Sequence, residues 1–264
     1  MEKLLEVKNL KVDFQLDDRV IHAVDGVDLR LDKNETVVLA GESGSGKTIT
    51  ALALTRILPR NARIVSGEVL LEGKNILDLE ERQLSLIRGA RIAYIFQEPT
   101  SYLNPVYTIG EQITEVIILH QDKLRKVAQV QAKKLLEAVQ IGEVNRVFSS
   151  YPHQLSGGMN QRVFIAMSLA CKPGLLICDE PTTSLDVTIE AQILKLLIRL
   201  KKEMGFSLLF ITHNLAIANK IASRIYVMYQ GKIVEEGLTA KIFNDPQHFH
   251  TKELITAYQK IGKL

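Results

Sequence analysis

The chain has 264 residues, 46% of them hydrophobic and 24% charged, the profile of a globular protein long enough for one large α/β domain with an appended lobe. Thirty-three Lys and Arg against thirty Asp and Glu leave a formal charge of +3, too small and too dispersed for a nucleic-acid footprint, so phosphate binding must be built locally. No run of about eighteen apolar residues occurs, Met1 is followed by the mixed stretch EKLLEVKNLK rather than a secretory leader, and Cys171 and Cys178 form no C-x-x-C pair, which argues against a membrane span, secretion, and zinc or disulfide chemistry.

In chain order, LLEVKNLKVDFQ and VIHAVDGVDLRL alternate and are β-branched, and the polar turn LDDR between them predicts antiparallel strands in a small sheet beside a main one. ETVVLAG then reads as a buried strand, followed by a Gly-Ser-rich loop and the helix-forming TITALALTRIL, which stops before Pro59. RIAYIF, GLLICDE and SLLFITH are further buried strands separated by helical patterns, which predicts a mostly parallel sheet. From Thr108 to Ala170 the chain is helix-rich, with Leu124, Ala128, Ala132, Leu135 and Val139 on one apolar stripe. RIYVMYQGKIVEEG predicts two strands about Gln230-Gly231, and the remainder a short helical tail.

Chemistry concentrates in three places. Gly41, Glu42, Ser43, Gly44, Ser45, Gly46, Lys47 and Thr48 fit the G-x-x-x-x-G-K-[ST] phosphate loop in its strand-to-helix setting. Its glycines let successive N–H groups face one anion, Lys47 is suited to the β- and γ-phosphates, and Thr48, with Ile49 next on the helix, to the Mg²⁺ end. Asp179 and Glu180 end an apolar run at a strand's C-terminal edge, where α/β sheets place ligands. Adjacent and differently aimed, they suit Mg²⁺ and the attacking water respectively, although alone they equally fit a solvated strand end. Leu155-Ser156-Gly157-Gly158 precedes the apolar helix VFIAMSLA, which makes Ser156 either a plain N-cap or part of a second anion-binding start.

In this order the motifs resemble the ATP-binding subunits of ABC transporters along essentially the whole chain. The resemblance implies a P-loop α/β core with a mostly parallel sheet, an N-terminal antiparallel β subdomain and an inserted helical subdomain, in one ATP-binding domain over 1–264. Residues 1–107 and 171–240 would form the core with its β subdomain, 108–170 the helical subdomain and 241–264 a tail. It implies that Ser156, Gly157 and Gly158 contact the γ-phosphate of ATP held on the phosphate loop of a second subunit. It assigns Gln97, in IFQEP, to Mg²⁺ and the attacking water, His213, in FITHN, to the γ-phosphate, Asp186, in TTSLD, to the dimer interface, and Phe14 to the adenine ring. Asn160 stands where a basic residue often follows the signature, and Asn214 where an acid often follows the switch histidine; both are expected to tune rates or interface charge.

Within the family, FQEPTSYLNPVYTIGEQI, DEPTTSLDVTIEAQIL and NDPQHFHTKELITA are similar to the peptide and nickel importer group. The resemblance implies an ATPase at the cytoplasmic face of the membrane, working with a second ATPase subunit (a paralogue or an identical copy), two permease subunits and an extracytoplasmic substrate-binding protein, with no nucleic acid. Di- or oligopeptides are the first choice of cargo and a nickel chelate the second. The cysteine-rich extension that holds an iron–sulfur cluster in many peptide-type members is absent, so no cluster is expected. His248 and His250, two residues apart with no third ligand, read as a solvated tail. Outside transport, ABC ATPases acting on DNA or ribosomes usually carry coiled-coil insertions or two cores, neither visible in this sequence, and Glu180 with His213 argues against a non-hydrolysing binder.

Overall fold

The computed structural model describes residues 2–16, 19–182 and 186–261. They belong to two compact units, one of residues 1–84 with 207–264 and the other of 85–206. The first unit opens with β1 (Lys3–Gln15) and β2 (Val20–Asp32), antiparallel with Leu5 opposite Leu31 and Phe14 opposite Ile21. Leu5, Leu10, Val12, Val24 and Leu31 are fully buried between them, as their alternation predicts. Asp17 and Asp18 of the expected turn lie outside the described residues; beside them the Leu16 N–H donates to the Arg19 carbonyl at 3.0 Å. Next come β3 (Thr36–Ala40), buried along its whole length, and α1 (Lys47–Ala53). The helix ends before Leu58, where its apolar pattern runs out. Arg56 adopts a φ of 55° and its guanidinium donates to the Leu77 and Leu79 carbonyls at 2.9 and 2.8 Å, which turns the chain early. β4 (Ala62–Leu71) pairs antiparallel with β1, and β5 (Lys74–Asn75) with β4, giving the sheet order β2-β1-β4-β5. α2 (Glu81–Ser85) closes this part of the chain.

In the second unit, β6 (Ile92–Ile95) leads through α3 (Pro99–Tyr102) to the helices α4 (Ile109–Gln121), α5 (Arg125–Ala138), α6 (Val144–Ser149) and α7 (Gly157–Ser168), the last preceded by a 3-10 turn at Pro152–Gln154. Thr108 and Glu111 start α4 with a reciprocal capping box, each side chain bonding the other's backbone N–H. On α5 the buried stripe is Ala128, Ala132 and Leu136, continued by Val139. Leu124, expected in that stripe, is instead the residue before the helix and 79% exposed, and Leu135 is only half-buried. β7 (Leu175–Asp179) runs parallel to β6 with Ile92 opposite Leu175, and α8 (Val187–Met204) follows, ended by Gly205 in the left-handed conformation.

The chain then returns to the first unit with β8 (Ser207–Thr212), α9 (Leu215–Ile221), β9 (Arg224–Tyr229), β10 (Lys232–Leu238), α10 (Thr239–Asn244) and α11 (Phe249–Ile261). β8 and β9 flank β3 in parallel, placing Val38 beside both Phe210 and Ile225. β10 turns back on β9 through Gln230 and Gly231, whose φ values of 45° and 79° make the two-residue turn that matches strand twist. Buried parallel strands, an antiparallel N-terminal sheet and packed helices give the expected α/β class. Among the described residues no helix is long and apolar enough to cross a membrane.

Candidate functional site

In the first unit, residues 41–48 join the buried end of β3 to α1. Two glycines are dictated by close approach. A Cβ at Gly41 would lie 2.2 Å from the Met228 carbonyl oxygen, and one at Gly46 2.4 Å from the Ala23 carbonyl oxygen, where φ is also 105°. The loop is therefore pressed between β2 and β9. It is tied there by the β9–β10 turn: the Gly231 N–H donates to the Ser45 carbonyl at 2.9 Å, and the Gly231 carbonyl accepts from the Asp25 N–H at 2.8 Å. The Lys47 ammonium, 5% exposed, folds back to donate to the Gly41 and Glu42 carbonyls at 2.9 and 2.7 Å. Ser45 is buried with its hydroxyl Oγ facing no protein partner, while Glu42, Ser43, Gly44 and Thr48 are exposed and Ile49 is half-buried. A cradle too tight for a Cβ, an ammonium at its mouth and a buried hydroxyl lacking a bond fit a phosphate group.

Two other expected residues lie in this unit. His213 is exposed immediately after β8. The chain turns there because Thr212 Oγ1 accepts from the Asn214 N–H at 2.9 Å and Asn214 Oδ1 caps α9 by accepting from the Ala216 N–H at 2.9 Å. Asn214 is thus the start of a helix, which an acid would serve as well. Phe14 is half-buried on β1 opposite Ile21 and Ala62, and Ile21 is two residues from the Ala23 carbonyl that touches Gly46.

The second unit holds the remaining residues. Asp179 closes β7 and is buried; Glu180 follows with a φ of 43°, a left-handed backbone that costs a non-glycine residue about 1 kcal/mol and re-aims its side chain relative to that of Asp179. Gln97 is exposed just past β6, rooted by Phe96, whose ring stacks on Tyr102 at 4.3 Å and lies 6.5 Å from Phe164 of α7. A second tie is the Ser168 hydroxyl, donating to the Tyr94 carbonyl at 2.8 Å. Ser156 is the N-cap of α7, accepting from the Met159 N–H over a long 3.4 Å, and it stays exposed together with Gly157. A Cβ on Gly158 would sit 3.2 Å from Ile189 Cγ2, so α8 approaches the signature closely. Asp186 is exposed, and its Oδ1 caps α8 by accepting from the Thr188 and Ile189 N–H groups at 3.0 and 2.9 Å; Thr183, Ser184 and Leu185 of the same motif lie outside the described residues.

Two expectations change. Asn160 is 3% exposed, and its Nδ2 donates to the Pro152 carbonyl at 3.0 Å, so it anchors the turn before the signature from inside. His250 is not solvated: it is 4% exposed, with its ring 4.2 Å from that of Tyr229, and its N–H donates to His248 Nδ1 at 3.2 Å. The Gly231 clamp leaves no distinctive mark in the sequence, since a tight turn after an apolar strand is shared by any hairpin. Among the described residues no group of three or more His, Cys, Asp or Glu side chains could hold a metal ion. Thr48 in the first unit and Asp179 in the second each carry a hard oxygen of the kind Mg²⁺ takes.

A family profile described as "ABC transporter" matches residues 24–183, more than half of the chain. The glutathione import ATP-binding proteins GsiA of Escherichia coli strain K12 and of Shigella dysenteriae serotype 1 are each 48% identical over 267 residues, covering 99% of this chain and 43% of theirs. The chain therefore spans less than half the length of these relatives. Among solved structures, the dimeric ATP-binding cassette MJ0796 in a post-hydrolysis state with ADP and Pi is 28% identical, with a TM-score of 0.79 over 89% of this chain and 99% of that one. The cbiO1 protein of Clostridium perfringens, 24% identical with a TM-score of 0.79 over 100% of this chain and 98% of that one, shares the fold. Phosphate cradle, acidic strand end, signature helix and family profile agree: the chain belongs to the ABC transporter family.

Proposed function

We propose that the chain is the ATP-binding and ATP-hydrolysing subunit of an importer, and that the phosphate cradle of residues 41–48 is the feature that carries this reading. In it, the loop N–H groups and the Ser45 hydroxyl grip the triphosphate, with Glu42, Ser43 and Ile49 alongside, Lys47 exchanges its carbonyl contacts for phosphate oxygens, and Phe14 stacks on the base. Thr48, Asp179 and Gln97 are assigned to Mg²⁺. When bound, the ion neutralises charge that builds on the β- and γ-phosphate oxygens. Glu180 takes a proton from the attacking water, and His213 holds the γ-phosphate.

Ser156, Gly157 and Gly158 complete the pocket of a second subunit, with Asp186 at that interface. Each ATP is then gripped by both halves and favours the closed pair over the open one until hydrolysis removes the link. Residues 108–170 act as the helical subdomain that passes this alternation to two permease subunits at the cytoplasmic face of the membrane, with a substrate-binding protein beyond. The role of the GsiA relatives in glutathione import favours a small peptide as cargo over a nickel chelate.

Glu180→Gln tests the reading. Expected is retained ATP binding with turnover slowed by about 10²–10⁴-fold, the range for losing a general base. Wild-type turnover in this variant would remove the assigned role and, with it, the hydrolytic mechanism.

A further inference from the structure

A groove of about 790 Å³ lies within the second unit, between α5, the turn before it and the segment that follows α7. α5 has two faces. Ala128, Ala132 and Leu136 point inward, while Lys126, Val127, Val130, Gln131 and Lys134 fall on the opposite arc at helical spacing and line the groove. Val127 and Val130 are 51% and 56% exposed, so the helix carries a second apolar stripe that the core does not use.

Leu169, Ala170 and Cys171 supply the opposite wall. The polar groups of this wall satisfy one another. The Gln121 and Gln131 side-chain amides both donate to the Ala170 carbonyl, at 2.8 and 3.0 Å, and the Cys171 thiol lies 3.8 Å from the Val116 carbonyl. A ligand body lying there is offered apolar contact and little hydrogen bonding, which disfavours an extended peptide with its unpaired backbone. The rim is cationic: Lys123, Lys126, Lys134 and Lys172 line the groove and no acid does. Lys123 is spent on a neutral partner, its ammonium 2.5 Å from Gln131 Oε1, and Lys126, Lys134 and Lys172 make no ion pair among the described residues. Like charges gathered on a low-dielectric trough create a field that an anion relieves.

We propose that this groove binds a small anionic amphiphile, an acyl or aryl carboxylate whose apolar body lies along Val127, Val130 and Leu169 and whose carboxylate meets the lysine rim. Its volume falls within the roughly 300–1,000 Å³ of small-molecule sites. Nothing in the assignment depends on nucleotide chemistry.

Cys171 is the reporter. It lines the groove and is half-buried, whereas Cys178 is fully buried in β7, so a maleimide should modify Cys171 selectively in the full 264-residue chain. With decanoate below its micelle concentration, at about ten times the half-protecting level, labelling of Cys171 is expected to slow by roughly tenfold. Decyltrimethylammonium, with the same tail and opposite charge, is expected to leave it unchanged. The double variant Lys126→Glu, Lys134→Glu, at exposed positions and checked for its fold by circular dichroism, brings the rim lysines and glutamates to a net charge of zero and is expected to abolish the protection by decanoate. Equal protection by both amphiphiles, none by decanoate, or undiminished decanoate protection in the double variant would each overturn the proposal. Protection only by vesicles of anionic lipid or by an acidic amphipathic helix would overturn it too, giving the groove to a membrane surface or a protein partner instead.

Discussion

The tightest constraints fall on single residues of the phosphate loop, and they differ between neighbouring glycines. Gly46 combines a φ of 105° with a Cβ position 2.4 Å from a carbonyl oxygen on β2, whereas Gly44 has a φ of 80° but nothing within 4 Å. Gly44→Ala should therefore cost only the left-handed penalty, about 1 kcal/mol, and keep most nucleotide affinity. Gly46→Ala must push the loop off β2, with an expected loss above about 2 kcal/mol and no measurable nucleotide binding. Paired thermal melts and ATP titrations separate the two, and equal behaviour would show that the clamp is not rigid. The two asparagines that depart from the family pattern split in a similar way. Asn160→Ala removes one of two donors to the Pro152 carbonyl, which keeps the Leu155 N–H at 3.1 Å, and should cost about 0.5–1.5 kcal/mol in chemical denaturation. Asn214→Asp keeps an oxygen for the Ala216 N–H and should shift stability by less than about 0.5 kcal/mol.

Among elements, those legible in the sequence are the ones whose two faces differ in chemistry. β3, β7 and β8 are continuous apolar runs because they are buried on both sides, and β1 and β2 alternate because they are covered on one. β4 left no such trace: most of its side chains are exposed or half-exposed, and Gly67 interrupts it, so its place beside β1 rests on backbone pairing that composition does not encode. α1 stops at Ala53, short of its helical pattern, because Arg56, a good helix former, spends its guanidinium on two distant carbonyls. Leu124 has the spacing of the α5 core stripe but precedes the first turn of the helix, and periodicity does not register where a helix begins. The hold on the tail is not legible in the sequence because its partner, Glu235, lies on β10 rather than within the tail itself. Burial alone would push the Glu235 carboxyl up, but the N–H groups of Gln247 and His248, donating to it at 2.8 and 3.0 Å, hold it below its ordinary value of 4.5. A carboxyl depressed in the folded state contributes stability that is complete above 4.5 and lost as pH falls through the depressed value. Amide exchange of α11 should therefore accelerate relative to β3 as pH drops below 4.5, after correction for intrinsic exchange, and Glu235→Gln should abolish that dependence. An unchanged ratio would detach the tail from this carboxylate.

At the level of the whole molecule, each chain carries the tight loop around Lys47 that is proposed to hold a triphosphate and, in its other unit, an exposed α7 start whose Ser156 is only weakly occupied as a cap at 3.4 Å. The exposed Gly157 beside a loosely bonded hydroxyl gains nothing for the fold, whereas the buried Asn160 just after it is engaged at 3.0 Å. The proposed explanation is that the signature serves a second subunit, and this has a stoichiometric consequence. Lys47→Ala removes the cradle's ammonium and Ser156→Arg blocks the signature, so each variant alone should be inactive. When identical copies pair, mixing the two builds heterodimers in which both defects fall on one ATP and the other ATP meets two intact halves. With random pairing, half of the dimers are mixed and half of the pockets in each are sound, so activity should return to about a quarter of wild type. Nothing returns if both motifs act on the ATP of their own chain, because then every copy remains broken. A chain whose natural partner is a paralogue gives a different count once that partner is supplied: each variant alone leaves one of the two pockets sound, and the ATP bound on this chain's cradle survives Ser156→Arg but not Lys47→Ala.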